Sequence, residues 1–471
     1  MRKFVISSIL MLLSIASFAL GQPGGVLTQE MLDSANKTFV VTNNYTLLGN
    51  SVVIPAGMTL VFAGGSIDNG ELCGTDSRII VRSRRPAFGL DVKISGTWNV
   101  PEVHDGWFAF DDSEDFVSNQ IIKNILAFSN DETPCHIFFE ENRTYYFELP
   151  YKGRTDLANL LSYKMVDGKK KRNYSELNND EYAYLRIFTI PSNTHLTVNN
   201  TMKMLATNQG AYFVFWEYGK RNVTVDGVGT IAGDNDWHRY DSPFLGQNYY
   251  GEWGHVFCCL RCKDFSFRDI TISDAFGDCI YYSGSYYPHE KDSRWASNLI
   301  IQNVRILRAR RNGVVIGARN VKISGCYFEG CGTDEVKGTA PKSAIDFEAD
   351  EVVSYPVIGN RDVVMENCIF VNNFFDLASS MNTVPGYGKL ATTIKNCRFT
   401  SQVKIRATYW MRFENCYIPF LYKKSGEDQY YSKHMEFVNC QFGEDEDSAR
   451  GHFSKATNKF TDCRYGVDKK Q

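Results

Sequence analysis

The chain has 471 residues, 43% hydrophobic, 14% aromatic and 22% charged, with a formal net charge of -3. That is ample material for a core, and too long for one ordinary compact domain unless the fold repeats or closes into a large barrel. The near-neutral, slightly acidic balance excludes the basic footprint that nucleic-acid binding needs.

Residues 1–21 read as a cleavable signal peptide. Arg2 and Lys3 form a basic start, Phe4 to Leu20 carry no charge, and small residues stand at Ala19 and Gly21. The apolar run is shorter than a typical membrane span. No Cys follows the expected cleavage point, which argues against a lipid anchor. Removing Arg2 and Lys3 takes the net charge from -3 to -5. The expected location is the periplasm, the cell surface or the medium, with no membrane span after signal removal and a monomeric state.

Residues 22–110 read as an N-terminal β region. The stretch LVFAGGSIDNGELCGTDSRIIVRSRR (60–85) is strand-turn-strand with Gly at the turns, and it leads into ISGTWNVPEVHDGWFAF (94–110). We expect it to cap the first coil of a solenoid, since an open coil end exposes core and unpaired backbone. Apolar residues at helical spacing predict one helix over 115–129. Residues 151–181 are polar and basic and read as a long surface loop. The tail from residue 466 is polar.

Between residues 111 and 465 one pattern recurs. The copies are VDGVGT (225–230), FRDITI (267–272), IQNVRI (301–306), ISGCYF (323–328), MENCIF (365–370), IKNCRF (394–399), FENCYI (413–418), FVNCQF (437–442) and FTDCRY (460–465). Their starts lie 42, 34, 22, 42, 29, 19, 24 and 23 residues apart. Self-similarity near twenty-odd residues with variable insertions signals a solenoid. Alternation within each copy predicts one strand per copy. The fold expectation is all-β, a right-handed parallel β-helix with an N-terminal β cap region. Apolar positions fill its interior, Cys fits where the coil bends, and aligned Asn side chains bond to counterparts in neighbouring rungs.

The 13 cysteines therefore read as inert packing, since free Cys behaves as a small hydrophobe. A disulfide framework is disfavoured by the odd count. Cys258, Cys259 and Cys262 leave a metal knuckle open, though no second ligand pair stands at zinc spacing.

After the Asn/Cys segments come second short strands, GDCIYYSG (277–284), RNGVVIGA (311–318) and KSAIDFEA (342–349). Aligned, they stack Asp278 with Asn312 and Ser343, then Tyr281 with Val315 and Asp346, then Ser283 with Gly317 and Glu348. Insertions rich in Tyr, Trp, His, Lys and Arg lie nearby at 234–255, 285–297 and 330–341. Aromatic faces beside charged groups suit sugar rings with carboxylate or sulfate substituents.

Three stretches carry a resemblance: the GGSIDNG…ISGTW…WFAF opening, the GDCIYY strand, and the run RRNGVVIGARNVKISGCYFEGCG…APKSAIDFEAD. Over most of residues 60–400 the chain resembles the pectate-lyase-like and polygalacturonase-like β-helix superfamily. It is most similar to exported polysaccharide-degrading β-helix proteins of gut Bacteroidetes. The resemblance implies the fold, and only a class of activities, since this superfamily hosts lyases, hydrolases, epimerases and tail spikes. The chain departs from the polygalacturonase pattern. One Asp, Asp278, precedes Cys279, Arg311-Asn312-Gly313 stands where that family carries Gly-His-Gly, and no Asn-Thr-Asp or Arg-Ile-Lys segment is found.

The expected function is an exported enzyme acting on an acidic polysaccharide. A lyase that cleaves uronate-containing glycans by β-elimination is favoured, with glycosaminoglycans such as chondroitin sulfate or hyaluronan as the class the resemblance implies. Arg310, Arg311, Lys337 and Lys342 are candidates to neutralise the uronate. Tyr281, Tyr282, His289, His238 and His255 are candidates to move protons. The catalytic set is Asp278, Tyr281, His289, Arg310, Arg311 and Asp346. Trp237, His238, Asn312, Lys337 and Lys342 are expected to bind substrate. Asp346, Glu348 and Asp350 alternate on one strand as a candidate Ca²⁺ set, or form a solvated strand face. Two alternatives stay open. One is a hydrolase using Asp278 and Asp346, with carboxyls two rungs apart. The other is a non-catalytic glycan-binding β-helix.

Overall fold

A computed structural model describes residues 24–32, 35–111, 113, 116–150, 163–166, 169–172, 185–208, 211–240, 253–284, 295–334, 337–348, 359–380, 382–422, 432–451 and 453–467. The expected signal peptide lies outside these residues, as do most of the 151–181 loop and the last four residues of the tail. Within that loop Tyr163–Val166 and Lys169–Arg172 pair antiparallel.

By internal packing the chain forms two compact units: residues 1–142 with 193–197, and residues 143–192 with 198–471. In the first unit the backbone already coils in parallel. Thr38 stands opposite Thr59, and Thr59 opposite Arg78. The 12-residue strand Gly70–Val81 also receives Ser51–Val53 and Val92–Trp98 in parallel register. The helix expected over 115–129 is observed as Asn119–Leu126. Its inward face is Ile121, Ile122 and Ile125. Buried Asn124 accepts from the Ile94 N–H at 3.0 Å and donates to the Val92 carbonyl at 2.7 Å, which satisfies backbone that the helix covers.

The second unit is a parallel β-helix. One turn of it runs Trp253–Leu260, Lys263–Arg268, Thr271–Ser273, and then returns to the first file as Asp278–Ser283. Each strand pairs in parallel with the equivalent strand of the next turn, giving three files of strands. The core is a set of side-chain columns. Phe215 stacks on Phe257 at 4.8 Å, Phe328 on Phe370 at 4.9 Å, and Phe437 on Phe460 at 4.7 Å. These distances match the spacing of adjacent strands, so offset aromatic stacking comes at no cost in backbone geometry.

One expectation is corrected. The Asn-Cys segments are not single strands. In the copy at 365–370 the second file ends at Glu366, Asn367 turns the chain, and the third file starts at Ile369. Asn367, Asn396, Asn415 and Asn439 all take left-handed φ of 50–56°. Asn tolerates that region because its short side chain can bond locally, and here it bonds along the stack. Asn396 donates to Asn367 at 3.2 Å, Asn415 to Asn396 at 3.1 Å, and Asn439 to Asn415 at 2.8 Å. The motif is therefore strand, corner, strand. Its apolar residues are at period two on either side of a bend, which mimics an unbroken strand.

The cysteines pack as expected. All thirteen are free, and eleven are buried. In the corner copies the thiol donates to the carbonyl two residues earlier, as Cys368 does to Glu366 and Cys416 to Glu414 at 3.4 and 3.3 Å. Among the described residues no group of three or more His, Cys, Asp or Glu is placed to hold a metal ion.

Candidate active site

The first file of strands carries the cluster. The expected stacking is observed. Asp278 stands opposite Asn312, and Tyr281 opposite Val315, which stands opposite Asp346. Asn312 accepts from both the Ser343 N–H and hydroxyl at 3.0 Å. Ser283 stands opposite Gly317, whose missing side chain leaves room for the Glu348 backbone. Asp346 is thus two rungs on from Asp278 and offset by three positions along the strand. That offset adds to the rung separation and was not visible from rung spacing alone.

Asp278 is fully buried. Its Oδ2 accepts from Arg311 Nη1 at 2.6 Å and its Oδ1 from the Asn312 N–H at 3.0 Å. Burial nonetheless pushes its pKa up to about 6, with Arg311 and the Asn312 bonds acting against that rise. Asp346 is also fully buried, and is held well above the usual carboxylate range by burial first and then by Glu348. Arg311 pulls the other way, and Asp278 adds to the rise. Arg311 therefore lies in the field of both carboxyls. Its side chain is 14% exposed, and Nε donates to the Ala340 carbonyl at 3.1 Å. The Asn312 side chain also bonds to Asp278, and Glu348 bonds to Asp346. Tyr281, Arg311 and Glu348 are the partly exposed members of the cluster and mark its mouth.

His255 completes the cluster. Its ring stacks on Tyr281 at 5.4 Å, and Nδ1 accepts the Asp278 N–H at 3.0 Å. A backbone N–H must donate, so Nδ1 carries the lone pair and Nε2 the proton. Burial, with Arg311 second, holds His255 well below its ordinary pKa, so it is the neutral tautomer. It is a hydrogen-bond donor here, and its lone pair is engaged.

Other expected site residues sit elsewhere or are engaged. Arg310 is fully buried. Its Nε donates to the Phe276 carbonyl at 2.7 Å, and its Nη1 to the Lys337 carbonyl at 2.5 Å and the Thr339 hydroxyl at 3.0 Å. His238 belongs to a second network. Asp234 accepts from Tyr212 at 2.6 Å, from the Thr207 N–H at 3.0 Å and from His238 Nδ1 at 2.8 Å. The ring of Phe276 lies between His238 at 3.7 Å and the Arg310 guanidinium at 3.9 Å. Trp237 donates to the Met204 carbonyl and lies under the Lys203 ammonium. Lys337 lies over Tyr240 at 3.7 Å, and Lys342 donates to the Asp334 carbonyl at 2.6 Å. His289 and Asp350 lie outside the described residues. Asp234 and Tyr212 were not singled out in the sequence; a motif of Asp four residues before His was the available signal.

The Ca²⁺ expectation rests on Asp346, Glu348 and Asp350. Asp346 and Glu348 share a strand, Glu348 raises the proton affinity of Asp346, and Arg311 acts on Asp346 in the opposite direction. Ca²⁺ takes six to eight oxygens, and of the three expected carboxylates Asp346 and Glu348 are the ones among the described residues.

The strand pairing and the side-chain columns make this chain a parallel β-helix with a buried acid cluster on one file. No protein-family model matches the chain. It is 32% identical over 209 residues to the uncharacterized protein YclG of Bacillus subtilis (strain 168), a match over 43% of this chain and 34% of that protein's length. Solved structures similar to it include an exopolygalacturonase from Thermotoga maritima (12% identity, 72% of this chain and 80% of that one, TM-score 0.45). The surface adhesin PfbA of Streptococcus pneumoniae matches at 13% identity over 93% of this chain and 85% of that one, TM-score 0.36. Tailspike gp49 from Acinetobacter baumannii bacteriophage Fri1, a capsular polysaccharide depolymerase, matches at 13% over 93% and 64%, TM-score 0.32.

Proposed function

We propose that the chain is a glycan-cleaving enzyme in which Asp346 is the acid and Asp278 the base. The observation that carries this is a pair of buried carboxyls around one guanidinium: Arg311 donates to Asp278 at 2.6 Å, and Asp346 lies buried two rungs on in the field of the same group. Burial raises both carboxyls, Asp278 to about 6 and Asp346 well above the usual carboxylate range. Two carboxyls in one site serve as acid and base for one reaction. Protonating a glycosidic oxygen while activating water is the reaction such a pair performs most directly. A file of parallel strands offers an extended face that suits a linear polymer. His255 Nε2–H and Tyr281 supply donors for sugar oxygens.

β-Elimination on a uronate-containing glycan, the lyase chemistry favoured from the sequence, is the second reading. Arg311 favours it, since this guanidinium borders both the mouth and the buried carboxyls and would neutralise a uronate. It is second because the other parts it calls on are engaged: the His255 lone pair by Asp278, and Arg310 by backbone carbonyls.

Incubation with polygalacturonate, chondroitin sulfate, hyaluronan and alginate tests both readings. New reducing ends without ultraviolet absorbance support hydrolysis. Absorbance of an unsaturated product supports elimination. Binding without either product from any glycan would sink the enzyme reading and leave a glycan-binding β-helix.

A further inference from the structure

Beyond the acid cluster the same file of strands turns aromatic. Phe374, Phe420 and Tyr422 are exposed, at 39%, 50% and 37%. The register ties them to the cluster. Asp278 stands opposite Asn312, whose side chain accepts from Ser343 on the next rung. Ser343 stands opposite Phe375, Phe375 opposite Gln402, and Gln402 opposite Phe420. Phe375 is buried and anchors the group. It meets Phe374 edge-on at 4.8 Å and Tyr422 edge-on at 5.1 Å. Lys342 lies over Phe374 at 4.3 Å and Lys404 over Phe375 at 5.5 Å, so these rings are held before any ligand arrives. The rung that carries Phe375 also presents Ala378 directly opposite Asp346, a side chain too small to wall the acid off from the rings. The Tyr422 hydroxyl makes no hydrogen bond among the described residues.

We propose that Phe374, Phe420 and Tyr422, anchored by Phe375, form a stacking platform for an uncharged sugar residue of the polymer. An aromatic ring takes the C–H face of a pyranose, and Tyr422 adds a hydroxyl for a sugar oxygen. A carboxylate or sulfate would lose water against this patch without regaining it. Phe420 lies three rungs on from Asp346, about 14 Å at the strand spacing, a reach that one sugar does not span and a polymer does. Exposed apolar patches mark interaction sites, and the row shared with Asp278 makes a glycan the occupant. The inference rests on the glycan-cleaving reading. It adds that the polymer runs along the stack of rungs and carries uncharged sugars on the Phe420 side of the acid.

The test is electrophoresis through gels containing dextran, galactan, mannan, hyaluronan, alginate or polygalacturonate. It is run on the full chain, and again on the full chain carrying Asp346→Asn so that cleavage cannot intervene. The first four polymers contain uncharged sugars, and the last two are charged at every residue. We expect retardation by at least one of the first four. In that gel Phe420→Ala and Tyr422→Ala should each weaken binding about fivefold, the loss of one aromatic contact. Tyr422→Phe should lose less than Tyr422→Ala. Ile369→Ala, which removes an exposed apolar residue from another file, should lose nothing. Thermal melts check that each variant is folded, and sedimentation reads the oligomeric state. Retardation by no polymer, retardation by alginate or polygalacturonate alone, or unchanged affinity in both alanine variants overturns the platform. So does an equal loss in Ile369→Ala, or a dimer that Phe420→Ala dissociates. Binding as expected with no cleavage of the bound polymer by the unmutated chain overturns the enzyme reading and leaves the platform standing.

Discussion

Arg311 donates to Oδ2 of Asp278 at 2.6 Å, across one rung and 33 positions of sequence. The contact sets the charge state of the cluster. Asp278 is buried, and without a nearby cation it would hold a proton more tightly still.

Arg311→Gln should therefore raise the Asp278 pKa above about 6 and move the acidic limb of the activity profile upward by a unit or more. It should also cost about 3 kcal/mol of stability, the low end for breaking a buried pair, since Arg311 keeps some exposure. A pH–rate profile and a urea titration read the two effects. An acidic limb that stays in place would remove Asp278 from the role of base.

The raised carboxyl pKa values fix the sign of a pH dependence. Between the ordinary Asp value of 3.8 and about 6, the folded chain holds a proton on Asp278 that the unfolded chain has lost. The contribution is thus present below pH 3.8 and lost as pH rises through about 6. Asp346, also raised by burial, acts in the same direction. Asp346→Asn should flatten the decline of stability on the alkaline side, while reducing turnover by a hundredfold or more, roughly what a general acid supplies. Unfolding midpoints measured from pH 5 to 9 decide it. A decline equally steep in both proteins counts against the buried acid.

The Asn corners predict a graded response. At Asn415 the φ is 53°, and its amide both donates to Asn396 and accepts from Asn439. Asn415→Ala should cost about 2 kcal/mol, from left-handed strain and lost hydrogen bonds together. Asn415→Gly should cost about half of that, because it relieves the strain but not the bonds. If Gly proves no better than Ala, the corner is not where the cost arises.

Thiol chemistry offers a check on the fold. In guanidinium without reductant, all thirteen cysteines should react with a thiol reagent. In the folded protein Cys73, which is partly exposed, should react promptly, while Cys463 should lag behind it, because its bond with Cys440 and then burial hold its thiol well above the ordinary range. Burial pushes the Cys331 thiol up to about 12, so it offers almost no thiolate at neutral pH. Fewer than thirteen in the denatured chain would reveal disulfides.

Much of this was legible in the sequence for one reason. A solenoid repeats its local chemistry, so aligning the copies aligns the rungs. The rows of Asp278 with Asn312 and of Tyr281 with Asp346 follow from three short segments laid one above another. The free cysteines and the Asn stacks follow from the same alignment. The corner inside the Asn-Cys motif was hidden, because a left-handed turn of one residue leaves the apolar alternation on both sides intact. The fates of the charged groups were hidden for a different reason. Arg310 and Arg311 are adjacent and identical in kind, yet one is consumed by backbone carbonyls and the other meets Asp278. The tautomer of His255 depends on a backbone N–H 23 positions away. Repetition sets which residues are neighbours along the stack. What each polar atom bonds to, and how much water it loses, depends on the loops and corners that break the repetition, and only the folded chain decides those.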